Sequence, residues 1–185
     1  MIKNSMNFHQ LKMSLFAFSI AFMLHLLLFA TAPLSTIIME EMNLSHAGFA
    51  FIFGIAMISL VASRIPWGLI GDHIGFRNAF RIALPISAIA AVIRPFTQSY
   101  ATLLMTQLAL GFGLSSILPI LPLLVKKSFH KHSTGFATGI YIAGFAAGNA
   151  TAIAFTPSLL PILNWRNILL VYAMLSVLIA IFWWL

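Results

Sequence analysis

Six long apolar runs, separated by short polar segments, dominate the pattern along the chain. A helix needs about 20 largely apolar residues to cross the hydrocarbon core of a bilayer, and each run has roughly that length. The runs cover residues 11–33, 47–70, 78–96, 100–125, 135–160 and 167–185. The pattern therefore predicts an all-α membrane protein, a bundle of six transmembrane helices that forms a single domain over residues 1–185.

The connections between the runs are short, and only the first, residues 34–46, has room for a loop that carries two acids, Glu40 and Glu41. Prolines interrupt the predicted helices, with Pro85 inside the third and Pro119 and Pro122 late in the fourth. A proline inside a helix removes a backbone hydrogen bond, so kinks or breaks are expected at these points.

The fifth run is unusual in its glycines. They form two pairs with a spacing of four residues, Gly135/Gly139 and Gly144/Gly148. Glycines four apart on a transmembrane helix allow another helix to approach closely. We expect all four to be packing positions, either in a static bundle or in a helix that rocks during function.

Composition confirms the bilayer as the natural solvent of this chain. Charged residues make up 7% of the 185 residues and the mean hydropathy is +1.02, whereas about 25% of a typical soluble domain is charged. There is no cysteine, which excludes a disulfide framework and a cysteine-based metal site. Asp72 is the only aspartate, so the paired acids of an intramembrane enzyme are missing. We predict no enzyme activity, no catalytic residue, no cofactor and no metal site.

Basic residues outnumber acidic ones by ten to three, which gives a formal net charge of +7. The bases lie in the gaps between the apolar runs rather than on one face, so nucleic-acid binding is not indicated. Lysine and arginine collect on the cytoplasmic side of membrane proteins. One side would carry Lys3, Lys12, Arg77, Arg81, Lys126, Lys127 and Lys131. Because the other would carry only Arg94 and Arg166, we predict a multi-pass protein of the plasma (inner) membrane with both termini in the cytoplasm.

The short polar segment 68–77 joins the second and third predicted helices. It resembles the signature loop of the major facilitator superfamily, in which a glycine is followed after three residues by aspartate and then by bases and a second glycine. The matching residues are Gly68, Asp72, Gly75 and Arg77. The segment departs from the pattern at His73, where arginine or lysine is usual, and at Phe76, which takes the first of the two final basic positions.

This resemblance implies that the chain is the amino-terminal half of a twelve-helix transporter, with a second six-helix half as its partner. Substrate would bind between the two halves, as in other carriers built from repeats. Asp72, with its neighbours in the segment, would form a latch to the second half on the cytoplasmic side. The alternative is that Asp72 only caps the third helix and pairs with Arg77 or Arg81.

Arg64 lies inside the second predicted helix, where a charged side chain is costly and is therefore a functional candidate. The sequences Arg64-Ile65-Pro66 and Gly75-Phe76-Arg77 resemble the second helix of nitrate/nitrite porters, which implies that Arg64 binds an anion in a central cavity. The planar guanidinium suits an oxyanion because it offers paired hydrogen bonds. Two alternatives remain open: Arg64 pairs with another side chain, or it snorkels to the membrane surface.

Four further polar side chains inside the predicted helices are candidate substrate-binding residues: His25, Gln107, Tyr141 and Asn149. His25 could instead be a hydrogen-bonded packing residue, and Tyr141 and Asn149 could bond to a neighbouring helix. Gln107 stands where many drug exporters of the superfamily carry an arginine, which argues against a proton-coupling role at that position.

The fifth helix adds to the resemblance. Residues 143–149 are similar to the small-residue stretch of the nitrate/nitrite porters, and cyanate-transporter-like members share the glycine-rich helix followed by Thr156-Pro157 and by Asn164-Trp165-Arg166. The resemblance implies a secondary transporter that moves a small solute by alternating access, with nitrate, nitrite or cyanate as candidate anions. The alternatives are an exporter of drugs or metabolites and a non-transporting half-carrier.

Overall fold

The computed structural model describes residues 8–129 and 133–184, without the side chain of His9. The described residues contain six helices that are long and apolar enough to cross a membrane, and no strand. This confirms the predicted all-α bundle. The predictions made for Lys3, Lys131 and Leu185 lie outside the described residues.

Each of the six spans consists of one helix or of two helices that meet at a break. Span 1 comprises α1 (Phe8–Phe29), a 3₁₀ turn (Ala32–Leu34) and α2 (Ser35–Glu41). Span 2 comprises α3 (His46–Ala62) and α4 (Arg64–Ile74), and span 3 comprises α5 (Phe76–Ile93) with a 3₁₀ turn (Arg94–Phe96). Span 4 comprises α6 (Tyr100–Leu114) and α7 (Ile117–Ser128), and spans 5 and 6 are α8 (Thr134–Leu159) and α9 (Trp165–Trp184).

The first connection is shorter than the sequence predicted. Residues 34–46 are not a loop, because the helix resumes after the 3₁₀ turn and continues to Glu41. Leu34 and Ile38 are fully buried and hold α2 against the core. Only residues 42–45 connect the first two spans, and Ser45 caps α3 by accepting a hydrogen bond from the backbone N–H of Gly48.

Two of the breaks follow from proline chemistry. Span 2 breaks at Ser63 and span 4 breaks at Ser115 and Ser116. Pro66 and Pro119 lie three or four residues beyond these breaks. A proline has no N–H for the carbonyl four residues earlier, and its ring clashes with that carbonyl, so the preceding turn opens.

Spans 1 and 5 pack closely through one of the two glycine pairs. A methyl group on Gly144 would lie 2.6 Å from the carbonyl oxygen of Phe18, and one on Gly148 would overlap the carbonyl oxygen of Phe22. A methyl group on Gly135 or Gly139 would meet nothing within 4 Å. The Gly144/Gly148 pair therefore lies in a helix contact. The Gly135/Gly139 pair does not pack within the described residues and leaves an open surface at the start of α8.

Span 4 packs at the centre of the bundle through two glycines of α6. A side chain at Gly111 would overlap the carbonyl oxygen of Ala56 on α3, and one at Gly113 would lie 2.6 Å from the backbone nitrogen of Ser87 on α5. The packing positions of α6 are therefore as restricted as those of α8, although they lack the four-residue spacing.

A polar clamp joins three spans at the end of the bundle opposite Lys12. The Glu41 carboxylate accepts a hydrogen bond from Arg166 Nη1 at 2.6 Å and another from the indole N–H of Trp165. Arg166 Nη2 also donates to the carbonyl oxygen of Thr97 at 3.0 Å. The clamp thus ties the end of α2 to the start of α9 and to the segment that follows α5.

We expect Glu41→Gln to lower the free energy of unfolding by about 1 kcal/mol, because the clamp is partly exposed to water and exposed ion pairs contribute little. Glu40→Gln is the matched control, since the neighbouring Glu40 is exposed and belongs to no ion pair among the described residues. Thermal unfolding in detergent measures both. Equal stability of the two variants would show that the clamp does not hold the spans together.

Candidate functional site

The segment that resembles the superfamily's signature loop is mostly helical. The last turns of α4 comprise residues Gly68 to Ile74. Gly75 alone separates this helix from α5, which begins at Phe76. Gly75 has a φ of +83°, a backbone conformation that residues other than glycine rarely adopt. The expected polar loop is therefore a helix end and a one-residue turn.

Asp72 is exposed on the last turn of α4. Its carboxylate neither caps α5 nor pairs with a neighbouring arginine. It forms no ion pair with Arg77 or Arg81, and α5 has no side-chain cap. Arg81 donates instead to the side-chain oxygen of Asn78 at 3.4 Å. The reading of Asp72 as a cap and local ion pair is thus wrong within the described chain, and the carboxylate is left available to something outside it.

Arg64 is the first residue of α4 and its side chain is exposed. No hydrogen bond or ion pair joins it to the described part of the chain. Since α4 continues to Ile74, Arg64 lies ten residues, or about 15 Å of helix rise, from the end of its span. Arg64 is therefore deeper in the span than the sequence predicted, because the second apolar run was expected to end at residue 70. Nearby, the indole of Trp67 donates to the Phe112 carbonyl at 2.8 Å and so fixes α4 against α6.

A row of aromatic side chains crosses spans 2, 1 and 5. We call it the aromatic row, and in order of contact it consists of Phe53, Phe29, His25, Phe145 and Tyr141. Neighbouring ring centroids are 6.1, 5.4, 4.8 and 5.9 Å apart. All five side chains are only partly buried. The row therefore offers ring faces and edges at the surface of the bundle.

His25 lies in the middle of this row with one ring nitrogen in use. Its Nδ1 is 2.9 Å from the Phe145 carbonyl oxygen, which can only accept, so Nδ1 carries the hydrogen. The Nε2 of a neutral His25 is then an acceptor. One turn beyond Phe145, the side-chain oxygen of Asn149 is buried without a hydrogen-bond partner in the described structure. His25 thus packs α1 on α8 and keeps one nitrogen for a further partner.

Gln107 does not join the aromatic row. It is 1% exposed and lies inside the bundle. Its side-chain oxygen accepts from Arg94 Nη1 at 3.4 Å, and its nitrogen donates to Thr31 Oγ1 at 3.4 Å. In this structure Gln107 is a buried packing residue, so it does not line a surface that a substrate could reach.

Arg94 is the polar residue whose position the sequence did not reveal. The sequence predicted it as one of the two bases on the side away from the cytoplasm, whereas its side chain is fully buried in the structure. Its Nη1 also donates to the Leu27 carbonyl at 2.9 Å, near the end of α1, whereas Nε and Nη2 have no partner in the described structure. A positive charge therefore does stand beside Gln107, supplied by span 3 instead of span 4. The available signal was a lone arginine at the end of an apolar run.

Residues 17–185 match the family model described as the Major Facilitator Superfamily. The chain belongs to this superfamily. It is 27% identical over 134 residues to a Bacillus subtilis protein named as the niacin/nicotinamide transporter NiaP, covering 72% of this chain and 34% of NiaP. It is 24% identical over 159 residues to the cyanate transport protein CynX of Escherichia coli, covering 85% of this chain and 41% of CynX.

The superfamily fold is also evident from solved structures. The bundle superimposes with a TM-score of 0.87 on a bacterial homologue of the human lysosomal transporter Spinster, in an inward-facing and unoccupied conformation. The match covers 97% of this chain and 43% of that chain at 16% sequence identity, so it shows the fold alone. The chain spans between a third and a half of the length of these similar proteins. It therefore has the architecture of one half of a superfamily transporter.

Proposed function

We propose that the chain forms the amino-terminal half of a secondary transporter that moves a small anion by alternating access. Its partner would be a second six-helix half, with the substrate held between the two halves. The proposal rests above all on Arg64, whose exposed guanidinium in the interior of span 2 has no partner in the described chain. A charge in such a position is costly unless it pairs with something outside this half.

A small inorganic anion is the first candidate substrate. The fork of donors on a guanidinium gives paired, charge-assisted hydrogen bonds to a planar oxyanion. None of the three described acids pairs with Arg64. Glu41 is held in the clamp, Glu40 forms no ion pair among the described residues, and Asp72 lies eight residues along the helix, about 12 Å by helix rise. The similarity to a cyanate transport protein supports this candidate.

A planar aromatic carboxylate is the second candidate, favoured by the aromatic row. Ring faces and edges bind flat aromatic molecules through offset and edge-to-face contacts, and His25 Nε2 and the Asn149 oxygen would add polar contacts. The similarity to NiaP, which is named as a niacin/nicotinamide transporter, supports this candidate. Tyr141 belongs to the aromatic row and would line the substrate site between the two halves together with His25 and Asn149.

Uptake of each anion separates the two candidates. Labelled nitrate, nitrite, cyanate and nicotinate are presented one at a time to vesicles that contain the paired form, meaning this chain joined to a second six-helix half. Phe145→Leu is the informative variant, since it removes the ring that touches both His25 and Tyr141. Selective loss of nicotinate uptake in this variant would support the aromatic substrate, and equal loss for all anions would count against it.

The surface that would receive the second half has two features. The end of α4 presents the free carboxylate of Asp72, and a methyl group on Gly68 would meet nothing within 4 Å. Gly135 and Gly139 leave the start of α8 equally open. We propose that this surface, with Gly75 and Arg77 at the turn, is where the second half closes on the cytoplasmic side. The bases Lys12, Lys126 and Lys127 at the same end support a cytoplasmic placement of both termini in the plasma (inner) membrane.

Asp72→Asn should leave the isolated chain as stable as before, because the described carboxylate has no partner to lose. In the paired form we expect a several-fold lower uptake rate, since the latch that favours one conformation is weakened. Uptake and thermal unfolding are measured on the same preparations. An unchanged uptake rate would remove Asp72 from the proposed latch.

A further inference from the structure

A pocket of about 430 Å³ opens at the end of the bundle that carries Arg77. Helices α1, α5 and α9 supply most of its wall. Its cationic side chains are Lys12, Arg77 and Arg81, and no acidic side chain among the described residues lines it. Because three bases and no described acid line the pocket, it favours an anionic ligand.

Aromatic side chains hold this pocket in shape. The Trp183 ring stacks on Phe16 with centroids 4.7 Å apart, and its indole N–H donates to the Arg77 carbonyl at 3.1 Å. The guanidinium of Arg81 lies over the Trp184 ring at 5.6 Å. These contacts tie the start of α5, which carries Arg77 and Arg81, to the end of α9. Tryptophan is enriched at the level of lipid headgroups.

Two apolar grooves reach the pocket, one on each side of α9. The first, of about 460 Å³, lies between α5 and α9, extends from Ile93 to Trp184, and shares Trp184 with the pocket. The second, of about 360 Å³, lies between α1 and α9 and shares Lys12, Phe16 and Phe182 with the pocket. Each groove therefore adjoins the basic pocket at one end, through the side chains that line both.

We propose that this pocket and its two grooves bind one anionic phospholipid with two acyl chains. The phosphate lies among Lys12, Arg77 and Arg81, and one chain follows each side of α9. An acyl chain in a groove leaves water, but the surrounding bilayer offers it similar apolar contacts. The headgroup therefore gives the selectivity, at about fivefold in affinity for each base. This site borders the proposed closing surface at Arg77, and it does not include Arg64 or any member of the aromatic row.

Lipid retention by the purified 185-residue protein tests the proposal. Native mass spectrometry counts the phosphatidylglycerol and phosphatidylcholine that remain bound after addition of an equimolar mixture. We expect selective retention of phosphatidylglycerol, about fivefold weaker binding in Arg81→Gln, and roughly 25-fold weaker binding in the double variant with Lys12→Gln. Lys126→Gln is the matched control, since Lys126 is exposed at the same end but does not line the pocket.

Two further experiments distinguish a lipid headgroup from free inorganic phosphate as the ligand. Inorganic phosphate should not displace phosphatidylglycerol, and a short-chain phosphatidylglycerol should bind much more weakly than the long-chain form. Equal retention of the two lipids, displacement by inorganic phosphate, or equal effects of Arg81→Gln and Lys126→Gln would each overturn the proposal. Helical content measured by circular dichroism identifies a variant that is misfolded, and Lys12→Gln alone then takes its place.

Discussion

Gly148→Ala is expected to destabilise the bundle by about 3 kcal/mol, the upper range for overpacking. A single methyl group at this position would overlap the backbone carbonyl of Phe22, and a backbone atom cannot turn aside as a side chain would. To admit the methyl group, α1 and α8 have to move apart, which also weakens the contact that Gly144 forms with α1. Thermal unfolding of the purified protein in detergent measures the effect.

Gly139→Ala is the matched control and should have the opposite sign. The same methyl group there meets nothing within 4 Å, and alanine is a better helix former than glycine by about 1 kcal/mol. Both positions lie in α8 and have the same substitution, so helix propensity cancels in the comparison. A Gly148→Ala protein as stable as the Gly139→Ala protein would show that α1 and α8 do not pack as described.

Arg64→Ala is expected to lower anion uptake by the paired form about 100-fold. Two charge-assisted hydrogen bonds contribute roughly 1.5 kcal/mol or more each, and their loss accounts for this factor. Arg64→Lys keeps the charge but not the fork of donors, so we expect an intermediate rate. The measurement is the initial rate of labelled anion uptake into vesicles.

Lys126→Ala serves as the control, because it removes a base that is exposed and outside the proposed cavity. If Arg64 only snorkelled to the membrane surface, its removal would change uptake no more than the removal of Lys126. Equal rates for Arg64→Ala and the parent protein would therefore contradict the anion site. Surface expression and helical content of each variant need to match for the comparison to hold.

The apolar pattern predicted the six spans because crossing a bilayer depends on length and hydropathy, which are local properties of the sequence. It failed where folding joined distant parts of the chain. Glu41 lies in a helix instead of a loop, since Leu34 and Ile38 are buried against other spans. The signature segment is helical up to Ile74, because the chain needs only Gly75 to reverse direction.

The candidate site was predictable in part. Arg64 and His25 were identified because a polar side chain inside an apolar run is conspicuous. The sequence did not reveal that Gln107 is buried with Arg94, because that pairing depends on how spans 3 and 4 cross. The aromatic row was equally hidden, since its members come from three spans and phenylalanine is common throughout the chain.

Uptake by the unsubstituted protein is the most direct test of anion transport. Labelled cyanate and nicotinate are presented to vesicles that contain the paired form, the 185-residue chain alone, or no protein. We expect saturable uptake of one of these anions by the paired form and background uptake by the chain alone. Uptake by the paired form that is no greater than in protein-free vesicles, for both anions, would contradict the proposed anion transport.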